Sequence, residues 1–253
     1  GIGAAIQGTL TPLVRYALTN ADIVAAVSSY SRDGCQELGA QSTIIVPNGV
    51  DTDTFVRKKG REHHRDGGLR LVSTSTLIPR NGLDTLVEAT ALLQREGDVA
   101  VTIAGDGPLE DELKELVRSL DVTDAVSFIG TIPHTDVPGL LADADLFVRP
   151  SIAEGFGVSF IEAMSVGLPV VTCPSGGIVD FVRNRETGML IPPKDPAALA
   201  DAVLELARDD ALYSRLADNA WDMVRTTYDW EVITDQVEAA YRTLVEGRGD
   251  DDR

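Results

Sequence analysis

Two glutamates flank a glycine-rich segment in the second half of the chain. Glu154 and Glu162 are separated by seven residues, the first four of which are Gly155, Phe156, Gly157 and Val158. An apolar sequence follows, so a helix is predicted to begin after the second glycine and to carry Glu162. The first N–H groups of a helix bind anions, whereas carboxylates accept hydrogen bonds from hydroxyl groups. The segment therefore suits a ligand that combines phosphate with hydroxyls, as a sugar nucleotide does.

Glu162 allows two interpretations. It could be an ordinary solvated carboxylate on a helix surface. Its apolar neighbours, Phe160, Ile161, Ala163 and Met164, instead predict a partly buried position. Because a buried carboxylate needs hydrogen-bond donors, we expect Glu162 to have a binding role.

Other turns rich in glycine follow the neighbouring predicted strands. They contain Gly105 and Gly107, Thr131 and Ile132, and Ser175 to Gly177. Each alone fits either close approach of backbone to a ligand or a simple turn. Arg80, in the turn after another strand, could bind a phosphate through two hydrogen bonds or could be a solvated turn residue.

Strand-like apolar runs alternate with helical patterns over residues 69–227. This alternation predicts an α/β fold, a Rossmann-like parallel sheet with helices on both faces. Ligands of such sheets bind beyond the carboxyl ends of the strands, where all the turns above lie. Residues 57–68 are predicted to be a linker or surface loop, 228–246 a final helix and 247–253 a disordered tail.

The composition excludes several classes of function. A net charge of −18 argues against a nucleic-acid partner. No apolar run is long enough for a membrane span, and the two cysteines suggest neither a disulfide framework nor a metal site, so a reducing, cytoplasmic location is expected. His63, His64 and His134 show no catalytic or metal-ligand spacing and are interpreted as surface residues. The chain starts at Gly1, which we interpret as a cut or incomplete sequence.

The acidic residues are mostly aspartate, 26 against 14 glutamates, and only 4 lysines accompany 18 arginines. Such an acidic surface suits a salt-rich cytoplasm, in which repulsion between like charges is screened. A halophilic source and an ordinary acidic protein from a high-GC genome both fit this composition.

Several motifs occur together in the order and spacing of a known family. They are Asn48–Asp51, Ala104–Pro108, Pro150–Gly157 with Glu162, Gly167–Val170, Ser175–Gly177 and Thr187–Leu190. From about Ala21 to its last helix, the chain resembles the retaining family-4 glycosyltransferases of the GT-B fold (glycosyl transferases group 1).

The resemblance implies two Rossmann-like domains with the active site between them. The C-terminal domain, which residues 69–227 resemble, would bind a nucleotide sugar without a metal. Glu154 would contact the sugar hydroxyls, Glu162 the ribose, and the backbone amides of 155–158 the sugar and diphosphate. Residues 1–56 would be the end of the N-terminal acceptor domain and the crossover, and residues 228–246 the helix that packs back on that domain.

The chain differs from the family at the residues that would bind the diphosphate. The Arg and Lys that bind the diphosphate align with Thr76 and Asn81. Arg80, or Arg149 if it turns to the cleft, could replace them. A milder change is Asp180, where the family more often has Glu.

The sequence thus predicts the donor-binding part of a retaining hexosyltransferase that uses a UDP- or GDP-sugar and no cofactor. The predicted catalytic residues are Glu154 and Arg80. The predicted substrate-binding residues are Glu162, Gly155, Phe156, Gly157, Val158, Thr76, Asn81, Gly105, Gly107, Thr131, Ile132 and Arg149. The expected partners are the donor and the missing acceptor domain, through which alone a peripheral membrane contact would arise. Without that domain we expect no transfer.

Two alternatives remain open at this point. The chain could be a non-catalytic GT-B-like binding or regulatory module, since both phosphate-binding cations are missing. It could also be a related GT-B enzyme such as a sugar-nucleotide epimerase, although the Glu154–Gly157 segment disfavours this.

Overall fold

The computed structural model describes residues 11–57 and 68–251. Most of the predicted linker, residues 58–67, lies outside the described residues, as do 1–10 and 252–253. Within the described ranges, no helix combines the length and the apolar character that crossing a membrane requires.

The N-terminal part forms a small parallel sheet. Helix α1 (Thr11–Asn20) precedes strand β1 (Val24–Ala26), and helix α2 (Ser29–Glu37) leads to strand β2 (Thr43–Ile45), which pairs with β1. The Ser28 side chain caps α2 by accepting a hydrogen bond from the Ser31 N–H at 3.1 Å.

The main sheet has six parallel strands in the order β5-β4-β3-β6-β7-β8. The strands are β3 (Leu69–Thr74), β4 (Val99–Ala104), β5 (Val126–Gly130), β6 (Leu146–Val148), β7 (Val170–Thr172) and β8 (Met189–Leu190). The helices from the main sheet onward are α3 (Leu83–Leu93), α4 (Glu110–Ser119), α5 (Val137–Ala142), α6 (Val158–Ser165), α7 (Pro196–Arg208), α8 (Asp210–Met223) and α9 (Trp230–Asp251). The predicted Rossmann-like sheet is confirmed.

The core lies on both faces of this sheet because successive strand residues point to opposite sides. Leu71 and Leu146 belong to one buried cluster, with residues of α3, α4 and α7. Val72 and Phe147 belong to the other, which contains residues of α6 and Tyr228. Burial on both faces explains why β6 is apolar throughout and why Val170 and Val171 are adjacent in β7.

Two predicted elements differ from those observed. A helix is predicted at 178–183, but Gly176–Asp180 is a 3-10 turn, which positive φ at Gly176 starts. The final helix continues to Asp251, past the predicted end at Glu246 and into the segment predicted to be disordered.

The segment after β2 crosses the start of the last helix beside the main sheet. The Val50 N–H donates to the Tyr228 carbonyl at 2.8 Å, and the Trp230 N–H donates to the Val50 carbonyl at 3.2 Å. A Cβ on Gly49 would lie 2.7 Å from the Trp230 ring, so glycine is needed for this close approach. The crossing brings residues 48–51 next to α6.

Tyr228 gives the fold a measurable dependence on alkaline pH. Burial, followed by the negative charge of Asp180, raises its pKa to about 12 from 10. Above pH 10 the unfolded chain loses the Tyr228 proton while the folded chain still holds it. The contribution of Tyr228 to the free energy of unfolding is therefore fully present below pH 10 and is lost as the pH rises through 12. We expect urea unfolding to show a smaller loss of stability between pH 9 and 11 in Tyr228→Phe than in the unaltered chain. Tyr241→Phe, at an exposed position, is the control; an equal loss in all three proteins would contradict the assignment.

Candidate functional site

The segment between the two glutamates joins the carboxyl end of β6 to helix α6. Gly157 precedes the helix with φ 98°, and a Cβ there would lie 2.7 Å from the Phe160 ring. A glycine is therefore required for the chain to enter the helix at this angle. The Phe160 N–H donates to the Gly157 carbonyl at 3.1 Å. The N–H groups of Val158 and Ser159, at the first two positions of α6, have no acceptor within the helix, so they can bind an anion.

Glu154 lies at the start of this segment and is held by Arg149. Arg149 Nη2 donates to Glu154 Oε2 at 2.8 Å. Arg149 is only 6% exposed, and its guanidinium stacks on the Phe160 ring at 4.4 Å. Burial lowers the pKa of Arg149, whereas the negative charges of Glu154 and Glu162 act in the opposite direction.

The backbone of the Glu154 turn is fixed from two sides. The Gly177 N–H donates to the Glu154 carbonyl at 3.0 Å, and Ser28 Oγ donates to the Gly155 carbonyl at 2.7 Å. Ser175 Oγ donates to the Ser151 carbonyl at 2.8 Å. The glycine-rich turn at 175–177 therefore supports the segment that carries Glu154.

Asp180 connects the same region to the small sheet. Its carboxylate accepts hydrogen bonds from the Ser29 N–H, at 2.7 Å, and from the Ser29 hydroxyl. The residue that departs from the family pattern is therefore used to anchor the start of α2.

Glu162 is buried, 8% exposed, as its apolar neighbours predict. Its Oε1 accepts a hydrogen bond from His134 Nε2 at 2.8 Å. The His134 ring packs against Phe55, with 5.4 Å between ring centroids. Sequence reasoning treated His134 as a surface residue: its side chain is 71% exposed, but the contact with Glu162 was missed. His134 follows β5, so its sequence position already places it at the edge of the sheet where Glu162 is expected. That position could have predicted the contact.

A cavity of about 470 Å³ opens beside this pair. Its lining includes Asn48, Gly49, Val50, Asp51, Thr54, Phe55, His134, Thr135, Val158, Glu162 and Trp230. The crossing segments of the N-terminal part and the last helix thus form one wall, and the start of α6 forms the other.

The predicted phosphate residues separate into two groups. Thr76 and Arg80 are exposed, and within residues 11–57 and 68–246 no hydrogen bond or ion pair engages the Arg80 guanidinium. Asn81 instead is 5% exposed, and its Nδ2 donates to the Thr76 carbonyl at 2.8 Å. The Asn81 amide thereby stabilises the turn that presents Arg80, and contact of Asn81 with a ligand stays a prediction.

Arg149, which was expected to reach the phosphate only if it turned to the cleft, is 6% exposed. Its positive charge and that of Arg80 are close enough to interact, since Arg80 contributes to the lowered pKa of Arg149. The Ile152 N–H donates to the Arg80 carbonyl at 2.8 Å and joins the two turns. The Arg80 side chain is exposed, whereas the Arg149 guanidinium is buried and bonded to Glu154.

The turns after β3, β4 and β5 pack on one another. A Cβ on Gly105 would lie 2.0 Å from the Ser75 carbonyl oxygen, and one on Gly107 2.6 Å from the Leu77 oxygen. Thr131 Oγ1 donates to Asp106 Oδ2 at 2.8 Å. The glycines are therefore required for the turns to meet.

Two other predicted residues place their side chains in the fold. The Phe156 ring is buried against Phe181 and Tyr228, at 5.3 and 5.8 Å between centroids. Ile132 is half-buried and packs on the α6 side of the core. Phe156 can face a ligand only through its backbone. In the described part of the chain, no group of three or more His, Cys, Asp or Glu side chains could hold a metal ion.

Comparisons with known proteins agree with this architecture. The family model "Glycosyl transferases group 1" matches residues 56–223. The GDP-mannose-dependent alpha-(1-6)-phosphatidylinositol monomannoside mannosyltransferase of Mycobacterium tuberculosis is 33% identical in an alignment that covers 91% of this chain and 65% of that protein. The alpha-D-kanosaminyltransferase of Streptomyces kanamyceticus is 32% identical over 159 residues, covering 62% and 41%.

Solved structures share the fold. Anabaena HepE, in complex with UDP and glucose, is 25% identical with a TM-score of 0.82, covering 92% of this chain and 66% of that one. Sucrose-phosphate synthase from Thermosynechococcus elongatus is 25% identical with a TM-score of 0.84, covering 97% and 66%. The matched segment spans from 36% to 65% of the curated relatives' length. With two thirds of its residues matched by the family model and a sheet shared with GT-B glycosyltransferases, the chain belongs to the glycosyl transferases group 1 family.

Proposed function

We propose that this chain binds a nucleoside-diphosphate sugar and acts in transfer of the sugar with retention of configuration. The observation that carries the proposal is the pair of fixed carboxylates at α6. Glu154 is held by Arg149 and Glu162 by His134, each at 2.8 Å, and the anion-binding end of the helix lies between them. Two hydroxyl-binding groups on either side of a phosphate-binding group match the layout of a nucleotide sugar.

Each part of the donor has a proposed partner. Glu154 accepts hydrogen bonds from the sugar hydroxyls, and Glu162 accepts them from the ribose diol. The N–H groups at the start of α6 and the exposed Arg80 bind the diphosphate. Either UDP or GDP is proposed as the nucleotide, since HepE was solved with UDP-glucose and a mycobacterial relative is GDP-mannose-dependent.

The reaction breaks the bond between the anomeric carbon and the diphosphate oxygen, and forms one from that carbon to an acceptor oxygen. We propose that the acceptor attacks on the face from which the phosphate departs, so that configuration is retained. The acceptor proton then passes to the departing phosphate oxygen. Arg80 and the helix N–H groups stabilise the charge that develops on the leaving group, and no metal takes part in the proposed reaction.

Choice of the acceptor is assigned to a part of the protein outside this chain. This chain spans 65% of the length of the mycobacterial mannosyltransferase, and the cavity beside Glu162 lies on its surface. We propose that a second domain closes over this face and that the chain alone transfers no sugar. We also propose a cytoplasmic location, because Cys35 and Cys173 are both free thiols.

Calorimetry tests the donor assignment directly. We expect the chain to bind one of UDP, GDP and ADP, and to bind the corresponding nucleotide sugar more tightly. Glu154→Gln is expected to weaken the nucleotide sugar about tenfold, because a hydrogen bond to a charged group contributes about 1.5–3 kcal/mol. Affinity for the free nucleotide should change less than about twofold. A folded chain that binds none of the three nucleotides would overturn the proposed function.

A non-catalytic binding module is the second candidate. It is favoured by the buried Asn81 amide and the buried Arg149 guanidinium, which leave Arg80 as the one proposed phosphate cation. Transfer assays on the complete protein distinguish the two candidates. Activity in the unaltered protein that Glu154→Ala abolishes supports the enzyme, whereas donor binding without transfer in either protein supports the module.

A further inference from the structure

We infer that Arg149 is a positioning residue that fixes Glu154 for the donor sugar and does not bind the diphosphate. The inference rests on the proposed function, because it assigns the sugar to Glu154. It assigns different roles to two neighbouring arginines. Arg80 binds the diphosphate, whereas Arg149 orients the Glu154 carboxylate.

The Arg149 guanidinium is occupied by the protein on all its nitrogens. Nε donates to Ser151 Oγ at 3.1 Å, and Nη2 donates to Glu154 Oε2 at 2.8 Å. Nη1 donates to the Thr74 carbonyl at 3.2 Å and to Ser159 Oγ at 2.7 Å. A guanidinium has five N–H donors, so four contacts leave at most one for a ligand.

The position of this guanidinium also excludes the diphosphate. Arg149 is buried and its face is covered by the Phe160 ring at 4.4 Å. A phosphate would have to displace Glu154, which would leave a carboxylate without its partner in a poorly solvated site. The exposed Arg80 guanidinium needs no such exchange.

These contacts determine what Glu154 can do. Oε2 is occupied by Arg149, whereas Oε1 accepts no hydrogen bond from any side chain in the described part of the chain. Arg149 also connects three elements around the carboxylate: the end of β3 through Thr74, the turn after β6 through Ser151, and α6 through Ser159. Glu154 is thereby held in one orientation before the sugar arrives, which lowers the entropy lost on binding.

A lysine could replace the charge but not the geometry. An ammonium can donate to Glu154, but it lacks the planar fork that reaches Ser151, Thr74 and Ser159 together and stacks on Phe160. Arg149→Lys therefore tests orientation of the carboxylate while keeping a positive charge beside it.

The experiment measures the affinity for a nucleoside diphosphate and for its sugar conjugate by calorimetry. UDP with UDP-glucose, or GDP with GDP-mannose, is used according to which nucleotide the unaltered chain binds. Arg149→Lys is expected to weaken the nucleotide sugar about 10- to 100-fold and the free nucleotide by less than about twofold. Arg80→Met is the matched control and should weaken both ligands by the same factor. If Arg149→Lys does not fold, Ser159→Ala, which removes one anchor of the guanidinium, should give the same selectivity with a loss of about threefold or more.

Three outcomes of the calorimetry overturn the inference. Equal loss for both ligands in a folded Arg149→Lys would make Arg149 a phosphate ligand, and loss for neither would leave it without a role. A chain that binds no nucleotide or nucleotide sugar overturns the proposed function and this inference with it. The Arg149–Glu154 contact has its own readout: Arg149→Met should lower Tm more than the double variant with Glu154→Gln does. Additive Tm shifts would contradict the contact itself.

Discussion

Replacement of Glu162 by alanine is expected to weaken binding of the nucleotide sugar and of the free nucleotide alike, by about 100-fold or more. Under the proposed function Glu162 accepts hydrogen bonds from both ribose hydroxyls, and each bond to a charged group contributes about 1.5–3 kcal/mol. Two such bonds correspond to a factor of at least about 100. Because the ribose is common to both ligands, the loss should not depend on the sugar.

Calorimetry on three variants isolates this effect. Glu162→Gln keeps the shape and one acceptor oxygen, so a loss of about tenfold is expected. Glu88→Gln removes an exposed carboxylate from α3 and should leave both affinities unchanged. Affinity within about threefold of the unaltered chain in Glu162→Ala, or a loss confined to the sugar conjugate, would contradict the ribose assignment.

His134 links this prediction to the structure. In the unaltered chain its ring donates to the carboxylate oxygen Oε1, which under the proposed function leaves Oε2 to accept from the ribose hydroxyls. Glu154, before α6, and Glu162, within α6, therefore share one arrangement: a basic side chain binds one carboxylate oxygen, and the other oxygen is available to a ligand.

Sequence patterns predicted the framework of this site well because the framework depends on local burial. Every residue of β6 and β7 is buried and all but Thr172 are apolar, and the α6 residues around Glu162 are buried too. These features follow from periodicity and from the need to cover both sides of a parallel sheet. The burial of Glu162 and the place of Glu154 beside the start of α6 could be predicted in this way.

Side-chain contacts across the site could not be predicted on the same basis. His134 reaches Glu162 from the turn after β5, and Asn81 turns inward to the Thr76 carbonyl. Arg149 lies between an arginine and two glutamates, and the residue spacing does not determine which of them it contacts. Such orientations depend on how three turns pack together, which is a tertiary property.

The glycine-rich turn at 175–177 is another feature that depends on tertiary packing. The positive φ of Gly176 could not be predicted from the sequence. The residue types of Ser175–Gly177 fit either a turn that binds a ligand or a turn that packs on the protein. The structure identifies a packing contact, with the turn supporting the backbone of Glu154. A substitution of Gly176 should therefore lower both the free energy of unfolding and the affinity for the nucleotide sugar.

Gly176→Ala is expected to lower the free energy of unfolding by about 3 kcal/mol or more. The residue has φ 52°, which costs alanine about 1–2 kcal/mol. Its Cβ would also lie 1.8 Å from the Glu154 carbonyl oxygen and 2.9 Å from the carbonyl carbon. Both atoms are backbone, so the clash can be relieved only by moving the turn, which breaks the hydrogen bond from the Gly177 N–H to Glu154. Loss of that contact adds to the conformational cost.

Gly130→Ala is the matched control for this effect. Gly130 has φ 68°, but nothing lies within 4 Å of the Cβ it would gain. Only the conformational cost of about 1–2 kcal/mol then applies. Urea unfolding of both variants separates the two contributions, and calorimetry on folded Gly176→Ala should show a larger loss for the nucleotide sugar than for the nucleotide. Equal unfolding free energies in the two variants would show that the turn yields without cost, and that the Glu154 backbone is not held by Gly176.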